Sequence, residues 1–210
     1  MLLYVIRHGE TTFNAEGRIQ GQLDTKLSPL GKQQAEAIAR ALAHAELQAV
    51  FSSPLSRAFD TARPLAAAYG FEVRTDDRLK ELNAGVFQNL LPAEMAEQHP
   101  EATARWKSHD PDYRIPDGES RRDMMIRGAA AFEAVFGCGL KRVAVVAHGG
   151  LLTAALKALL GIPAERHPFM LYNASISRLQ KDQQVRLLTL NEIEHLRGPD
   201  GVLATRMGDL

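Results

Sequence analysis

Two short apolar segments, each ending in a histidine, constrain the fold of this chain more than any other feature. Residues 2–6 lead directly into Arg7 and His8, and residues 143–147 lead directly into His148. Both segments have the length and the aliphatic, β-branched content of buried strands. In an open α/β sheet, ligands bind beyond the carboxyl ends of the parallel strands. We therefore expect the two histidines to meet at such an edge, beside an arginine that suits an anion.

Length and charge limit the class of protein. The 210 residues are enough for one large α/β domain with a buried core. Basic and acidic residues number 25 each, so no global field favours nucleic acid or an anionic membrane as a partner. One cysteine, Cys138, leaves no internal disulfide, which fits a reducing compartment. We expect a cytoplasmic globular protein with no nucleic-acid partner and no membrane partner.

The alternation of strand and helix patterns predicts a three-layer α/β/α sandwich with a mainly parallel central sheet. Serine followed by proline is typical of a helix start, and it occurs at Ser28 and at Ser53. Pro64 predicts a kink or a break within the second of these helices. The predicted strands are 2–6, 49–52, 71–75, 142–147, 175–179 and 185–190, and the predicted helices are 28–45, 53–70, 119–136 and 151–160.

Two further segments deviate from this alternation. Residues 88–120 contain four prolines and predict an irregular helical excursion over the pocket. Residues 198–210 are rich in glycine, lack periodicity and predict a flexible tail. The domain is accordingly predicted to span residues 1–197.

The polar residues near the predicted strand ends suit phosphoryl transfer. Arg7 is a bidentate clamp for phosphate oxygens, and Arg57 lies near a helix N-terminus, whose dipole also favours anions. Glu81 is the carboxylate of this set that could donate a proton. Asn14 and Gln20 are neutral loop residues able to donate to further phosphate oxygens. Such a set supplies positioning and charge stabilisation, on which phosphoryl transfer mostly depends.

Five ordered blocks resemble the histidine phosphatase superfamily, also called phosphoglycerate-mutase-like. They are Arg7-His8-Gly9-Glu10-Thr11 with Asn14 and Gln20-Gly21, Leu27-Ser28 to Gly31 with Gln34-Ala35, Ser52 to Ala58 with Thr61-Ala62, Leu79-Lys80-Glu81-Leu82, and Val146-Ala147-His148-Gly149-Gly150. The match runs in register through roughly the first 160 residues. The resemblance implies a phosphoglycerate-mutase-like sandwich and a phosphohistidine mechanism that uses no metal and no other cofactor.

The resemblance also implies a role for each matching residue. His8 is similar to the nucleophile that attacks phosphorus, and Arg7, Arg57 and His148 to the residues that hold the equatorial oxygens. Glu81 is similar to the acid that protonates the leaving oxygen and then activates water. The implied enzyme is a phosphatase.

Three more residues match substrate-binding positions. Asn14, Gln20 and Gly149 are implied to contact a small phosphomonoester. Glycine follows His148, whereas the acid phosphatase branch has an aspartate there, so the acid is assigned to Glu81. No other partner is predicted, although a homodimer stays open.

One departure from the family pattern concerns the substrate side of the pocket. The family often has glycine-x-tryptophan-glutamate-glycine after the catalytic glutamate. In this chain Phe87, Gln88 and Asn89 replace the tryptophan, the glutamate and the final glycine of that motif. His99, His109 and His167 have no motif around them, so we expect them to lie away from the substrate. Trp106 is predicted to be a packing residue.

Three alternative functions use a similar set of residues. A phosphoglycerate mutase has similar catalytic residues, but it carries a longer insertion after the glutamate and an arginine that residues 82–85 lack. A non-catalytic phosphate-binding protein would have lost the nucleophile or the acid, and this chain keeps both His8 and Glu81. A zinc hydrolase is disfavoured because Arg7 and Arg57 would repel a dication.

Overall fold

A computed structural model describes residues 1–198 and 201–202 of the chain. The strands are β1 (Leu2–Arg7), β2 (Ala49–Ser52), β3 (Val73–Thr75), β4 (Arg142–Ala147), β5 (Ile176–Lys181), β6 (Val185–Glu192), β7 (Arg197–Gly198) and β8 (Gly201–Val202). The helices are α1 (Thr12–Glu16), α2 (Pro29–Ala41), α3 (Ser56–Ala68), α4 (Pro92–Gln98), α5 (Pro100–Lys107), α6 (Arg121–Phe136) and α7 (Gly149–Leu159). Most of the predicted flexible tail, residues 199–200 and 203–210, lies outside the described residues.

A six-stranded sheet in the order β3-β2-β4-β1-β5-β6 forms the centre of the molecule. The four strands from β3 to β1 are parallel, and β5 and β6 run antiparallel to their neighbours. β4 lies between β1 and β2, although it comes last of the parallel strands in the sequence. The predicted mainly parallel sheet is confirmed.

Alternate residues of the central strands bury two separate cores, one on each face of the sheet. On β1, Leu3 and Val5 pack with apolar residues of α6 and α7 in one core, and Tyr4 and Ile6 pack with α2 and α3 in the other. This period of two is what a strand covered on both faces requires. The predicted three-layer sandwich is confirmed.

Local corrections concern helix boundaries. The second predicted helix begins at Ser56, not at Ser53, and Pro64 lies within it without ending it. A carboxylate distant in sequence supplies the cap, because Asp24 accepts hydrogen bonds from the Ser56 backbone N–H (2.7 Å) and hydroxyl (2.8 Å). Helix α1 was not predicted, and α2 ends at Ala41, before the predicted residue 45.

The segment from 88 to 120 contains α4 and α5, followed by turns that lead to the Ser120 cap of α6. Met95, Trp106 and Ile115 are buried and join the core on the α6 and α7 face. The segment is therefore packed onto the domain through its apolar side chains. None of the helices in the described part of the chain is both long and apolar enough to cross a bilayer.

Candidate active site

The two predicted histidines meet at the carboxyl edge of the sheet. β1 and β4 are neighbours, with Arg7 paired to Ala147, so His8 and His148 leave the sheet side by side. Their ring centroids are 5.2 Å apart, and the planes are tilted by 59°. The expected convergence of the two strand ends is confirmed.

His8 is held in one tautomer. Its Nδ1 lies 2.7 Å from the carbonyl oxygen of Gly9, which can only accept, so Nδ1 carries the proton and Nε2 carries the lone pair. Burial and the charges of Arg57 and Arg7 hold the pKa of His8 well below its usual range, against a smaller opposite effect of the Gly9 carbonyl. His8 is therefore neutral at pH 7, as a nitrogen nucleophile must be.

His148 is neutral for similar reasons. It is fully buried at the N-terminus of α7, and neither ring nitrogen has a hydrogen-bond partner among the described residues. Burial, followed by the charges of Arg57, His8 and Arg7, holds its pKa well below the ordinary value. A buried imidazole in this state can donate to a ligand oxygen.

Arg7 and Arg57 bring two buried positive charges to the imidazoles. Arg7 Nη1 donates to the carbonyl of Leu171 at 2.7 Å. Arg57, in the first turn of α3, donates from Nη2 to Gly21 O (2.7 Å) and from Nη1 to Leu23 O (2.8 Å). Both guanidinium groups are completely buried, and both charges act on the two histidines. This combination favours a phosphate dianion over a neutral or cationic ligand.

Glu81 lies against the start of α7. Its Oε2 accepts from Gly150 N at 2.9 Å, and its Oε1 accepts from Leu151 N and Leu82 N at 2.8 Å each. These bonds fix the carboxyl at the first turn of α7, next to His148 and Gly149. Glu81 itself comes from the loop after β3. The structure thus brings the predicted acid to the two histidines through a helix terminus.

The amide oxygens of Asn14, in α1, and of Gln20, in the loop after α1, brace the segment that follows His8. Asn14 Oδ1 accepts from the Thr11 N–H at 3.1 Å, and Gln20 Oε1 accepts from the Thr25 hydroxyl at 2.5 Å. The Thr11 hydroxyl lies 3.0 Å from Asn14 Oδ1 and 2.9 Å from Gln20 Oε1, so its one proton is shared between these two oxygens. Asn173 Nδ2 donates to His8 O and to Asn14 Oδ1, which ties this segment to the nucleophile. Both predicted residues are buried next to the site.

The two glycines after His148 are required by close approach. A Cβ on Gly150 would lie 2.7 Å from Glu81 Oε1, and one on Gly149 would lie 3.1 Å from Arg7 Nε. Neither position has room for a side chain unless the acid or the clamp moves. Gly149 thus lies beside Arg7.

Residues 87–89, where the chain departs from the family pattern, support the neighbouring loop. Gln88 Oε1 accepts from the backbone N–H of Gln22 at 2.8 Å, and Phe87 is fully buried. Asn89 takes a left-handed conformation (φ 69°), which the family's glycine adopts easily and which asparagine tolerates better than most residues. The loop that carries Gly21 is therefore supported in this chain.

Three positioning residues carried no assigned role in the sequence. Arg127 on α6 donates to the Glu81 carbonyl at 2.8 Å and pairs with Glu119, so it secures the loop of the acid. Thr61 accepts from Gly9 N at 3.0 Å and holds the backbone beside His8. Asn173 contacts His8 O from a distant segment. Thr61 lies in one of the sequence blocks that match the family, so the sequence could have indicated it. Arg127 only borders the buried face of α6, which is a weaker indication of a role at the site.

A cavity of about 300 Å³ opens next to the acid. Glu81, Gly149 and Gly150 line one part of it, and Trp106 from α5 lines another. His109 and His167 also line it, although no sequence motif surrounds either residue. No group of three or more His, Cys, Asp or Glu side chains in residues 1–198 and 201–202 is arranged to hold a metal ion.

This site suits an enzyme that transfers phosphoryl groups through histidine, because a neutral imidazole with a fixed tautomer lies beside two buried guanidinium groups. A second imidazole and a nearby carboxyl complete the set. Comparison with known proteins gives the family. Residues 3–193 match the family model described as histidine phosphatase superfamily (branch 1), and the chain belongs to that superfamily. Its fold follows from this membership, and the phosphatases among its relatives and structural neighbours give the class of enzyme, a metal-independent phosphatase.

Curated relatives and solved structures agree with this assignment. The chain is 38% identical over 188 residues to the glucosyl-3-phosphoglycerate phosphatase of Mycobacterium tuberculosis, covering 84% of each protein. It is 35% identical over 206 residues to the Escherichia coli protein named "Probable phosphoglycerate mutase GpmB", covering 94% of this chain and 95% of the relative. The structure of mycobacterial glucosyl-3-phosphoglycerate phosphatase with VO3 superposes with a TM-score of 0.82 at 37% identity, covering 90% and 98% of the two chains.

Proposed function

We propose that this protein hydrolyses a small phosphomonoester with His8 Nε2 as the nucleophile. The observation that carries the proposal is the state of His8: its Nδ1–H is fixed on the Gly9 carbonyl and its imidazole is kept neutral. The lone pair on Nε2 is then available without prior loss of a proton. Arg7 and Arg57 supply the charge that attracts the phosphate dianion and stabilises it during transfer.

The reaction proceeds in two steps. In the first, Nε2 of His8 forms a bond to phosphorus while the bond from phosphorus to the leaving oxygen breaks, and Glu81 gives that oxygen a proton. In the second, water attacks phosphorus and passes a proton to Glu81, the nitrogen–phosphorus bond breaks, and phosphate leaves. His148, Asn14, Gln20 and the Gly149 backbone are assigned to the phosphoryl oxygens in both steps.

The first test combines a chelator with trapping of the intermediate. The wild-type protein should hydrolyse p-nitrophenyl phosphate in excess EDTA, and acid-labile phosphohistidine should be recovered at His8 after denaturing quench. His8→Ala should lose on the order of 10⁴-fold or more in turnover, as removal of a nucleophile does. Activity that disappears with EDTA and returns with Zn²⁺ or Mg²⁺, or a trapped phosphoryl group at another residue, would refute the assignment.

A mutase activity is the second candidate, because one relative carries a mutase name and spans nearly the same length as this chain. The chain argues against it by lacking an arginine in residues 82–85, beside the proposed acid. Product analysis with 3-phosphoglycerate separates the two functions. We expect inorganic phosphate and no 2-phosphoglycerate, whereas 2-phosphoglycerate formed faster than phosphate would favour the mutase.

A further inference from the structure

The cavity beside Glu81 extends along α7, away from His8 and His148. Gly149, Gly150, Thr153 and Lys157 all line it and lie on one face of this helix, at spacings of three to four residues after the first pair. Eight residues at 1.5 Å each separate Gly149 from Lys157, which is about 12 Å along the helix axis. The cavity therefore leads from the proposed acid to a buried lysine two turns further on.

Four basic groups line the far part of this cavity: His109, Arg121, Lys157 and His167. Lys157 is 5% exposed, and its Nζ uses one donor on the Ala164 carbonyl at 2.6 Å. An ammonium group has three donors in all. The rings of His109 and His167 have centroids 4.8 Å apart, although they come from segments on opposite sides of α7 in the sequence.

Arg121 is held in the wall of the cavity by Trp106. Its guanidinium carbon lies 3.2 Å from the centroid of the indole ring, and its Nη1 donates to the Trp106 carbonyl at 3.1 Å. Burial lowers the pKa of Arg121 to about 10, against a smaller opposite effect of Asp110, so its charge is present at pH 7. The stacking fixes the direction of a side chain that would otherwise be flexible.

Several basic groups of this cavity lower the pKa of a neighbour. Burial, then the charge of Arg121, lowers the pKa of Lys157, and burial, then Lys157, His109 and Arg121, lowers the pKa of His167. The carboxylates whose charges reach these groups are Asp110, near Arg121, and Glu165, near Lys157. Mutual repulsion of this kind is relieved when an anion binds between the groups.

The rest of the wall is mainly apolar and includes Met124, Met125, Ala154, Phe169, Met170 and Leu171, together with Trp106. The volume of the cavity, about 300 Å³, is at the lower end of the range for small-molecule sites. An apolar body with a cationic far end selects a ligand that has carbon along its length and a negative group at its end.

We propose that this cavity binds the leaving group of the substrate, and that the leaving group is an extended chain or ring ending in a second anion, either a carboxylate or a phosphate. The inference rests on the proposed phosphatase function, which supplies the reacting phosphoryl group at His8. Carbons of an extended chain advance by about 1.3 Å each, given C–C bonds of about 1.5 Å. A six-carbon leaving group therefore extends about 6 Å from the phosphoryl group along the cavity, whereas a three-carbon one extends only about 3 Å and stays farther from the basic groups.

The test compares matched substrates of two lengths. For the wild-type protein, kcat/KM for 6-phosphogluconate should exceed that for sorbitol 6-phosphate by at least about 10-fold, the effect of one charge-assisted hydrogen bond. These two compounds have the same carbon count and differ in a terminal carboxylate. Fructose 1,6-bisphosphate tests a terminal phosphate instead. The shorter pair, 3-phosphoglycerate and glycerol 3-phosphate, should differ much less.

Variants of the cationic group identify the cause of the preference. Lys157→Met and Arg121→Gln should each reduce the preference for the anionic six-carbon substrate by about 10-fold and leave sorbitol 6-phosphate within about 3-fold. Arg121→Lys should retain most of the preference, because it keeps the charge. The control is Arg63→Gln, which removes an exposed arginine of α3 on the opposite layer and should change neither substrate.

A separate measurement distinguishes failure of this proposal from failure of the proposed function. Calorimetric affinities of the His8→Ala variant for 6-phosphogluconate and sorbitol 6-phosphate do not depend on turnover. Equal affinities and equal kcat/KM values for anionic and neutral six-carbon compounds, with p-nitrophenyl phosphate still hydrolysed, would overturn the subsite alone. Absence of hydrolysis with the affinity difference intact would overturn the phosphatase function and retain the anion site.

Discussion

Replacing Glu81 by glutamine should damage catalysis in proportion to how much the leaving oxygen needs a proton. The alkyl phosphate glycerol 3-phosphate should lose roughly 10²–10⁴-fold in the rate of phosphohistidine formation, the usual range for a general acid. p-Nitrophenyl phosphate should lose much less in that step, since its leaving group is stable as an anion. The measurement is rapid-quench detection of phosphohistidine, because hydrolysis of the intermediate also uses Glu81 and would obscure the steady-state comparison.

The structure adds a stability cost to this substitution. The Glu81 carboxyl accepts three backbone hydrogen bonds, two on Oε1 and one on Oε2. Glutamine has one oxygen, so its NH₂ group must face an N–H donor on one side. Losing one bond to a charged acceptor costs about 1.5–3 kcal/mol, which corresponds to roughly 3–12 °C in Tm for a domain of this size.

A matched variant separates the two effects. Glu119 is another carboxylate that braces the same loop: it pairs with Arg127 and accepts from Asn83 N at 2.8 Å. Glu119→Gln should lower the Tm comparably and leave the ratio of alkyl to aryl rates unchanged. If Glu81→Gln slows phosphohistidine formation equally for both leaving groups, Glu81 shapes the pocket and the acid lies elsewhere.

Two further predictions concern charge. Arg57→Ala should raise the Kd for vanadate by about 10- to 100-fold and raise the pKa of both His8 and His148, because the Arg57 charge lowers both; unchanged vanadate affinity by calorimetry would contradict this. Stability should fall as the pH drops below about 6.5, since the unfolded chain then takes up protons that the buried His8 and His148 do not. Each contributes up to about 1.4 kcal/mol per pH unit, so His148→Ala should flatten the slope of unfolding free energy between pH 5 and 6.5, and an unaltered slope would refute the reasoning.

The strand ends could be predicted from the sequence because each carries its information locally. An apolar run of strand length followed by histidine specifies both the strand and the point where it ends. Once β1 and β4 pair in parallel, with Arg7 opposite Ala147, the two strand ends bring His8 and His148 together. The insertion of β4 between β1 and β2 is different, because strand order depends on tertiary contacts that periodicity does not encode.

The start of α3 shows why a local signal can mislead. Ser53 and Pro54 have the composition of a cap and a first helical residue, yet the helix begins at Ser56. Asp24, 32 residues away in the sequence, accepts a hydrogen bond from the Ser56 N–H and thereby caps the helix in place of a local serine. A cap supplied by another loop leaves no pattern beside the helix.

The part of the site that binds phosphate can be predicted from local sequence motifs, whereas the proposed leaving-group part cannot. Arg7, His8 and His148 are placed by two adjacent strands, so short motifs are sufficient to predict them. The far part of the cavity is assembled from α5, α6, α7 and the segment around His167, which meet only in the folded chain. Family motifs therefore define the chemistry, whereas the second recognition element depends on residues such as Arg121 and Lys157, whose positions in the sequence look unremarkable. Substrate preference can consequently change through these helices while the residues that react with phosphorus stay as they are.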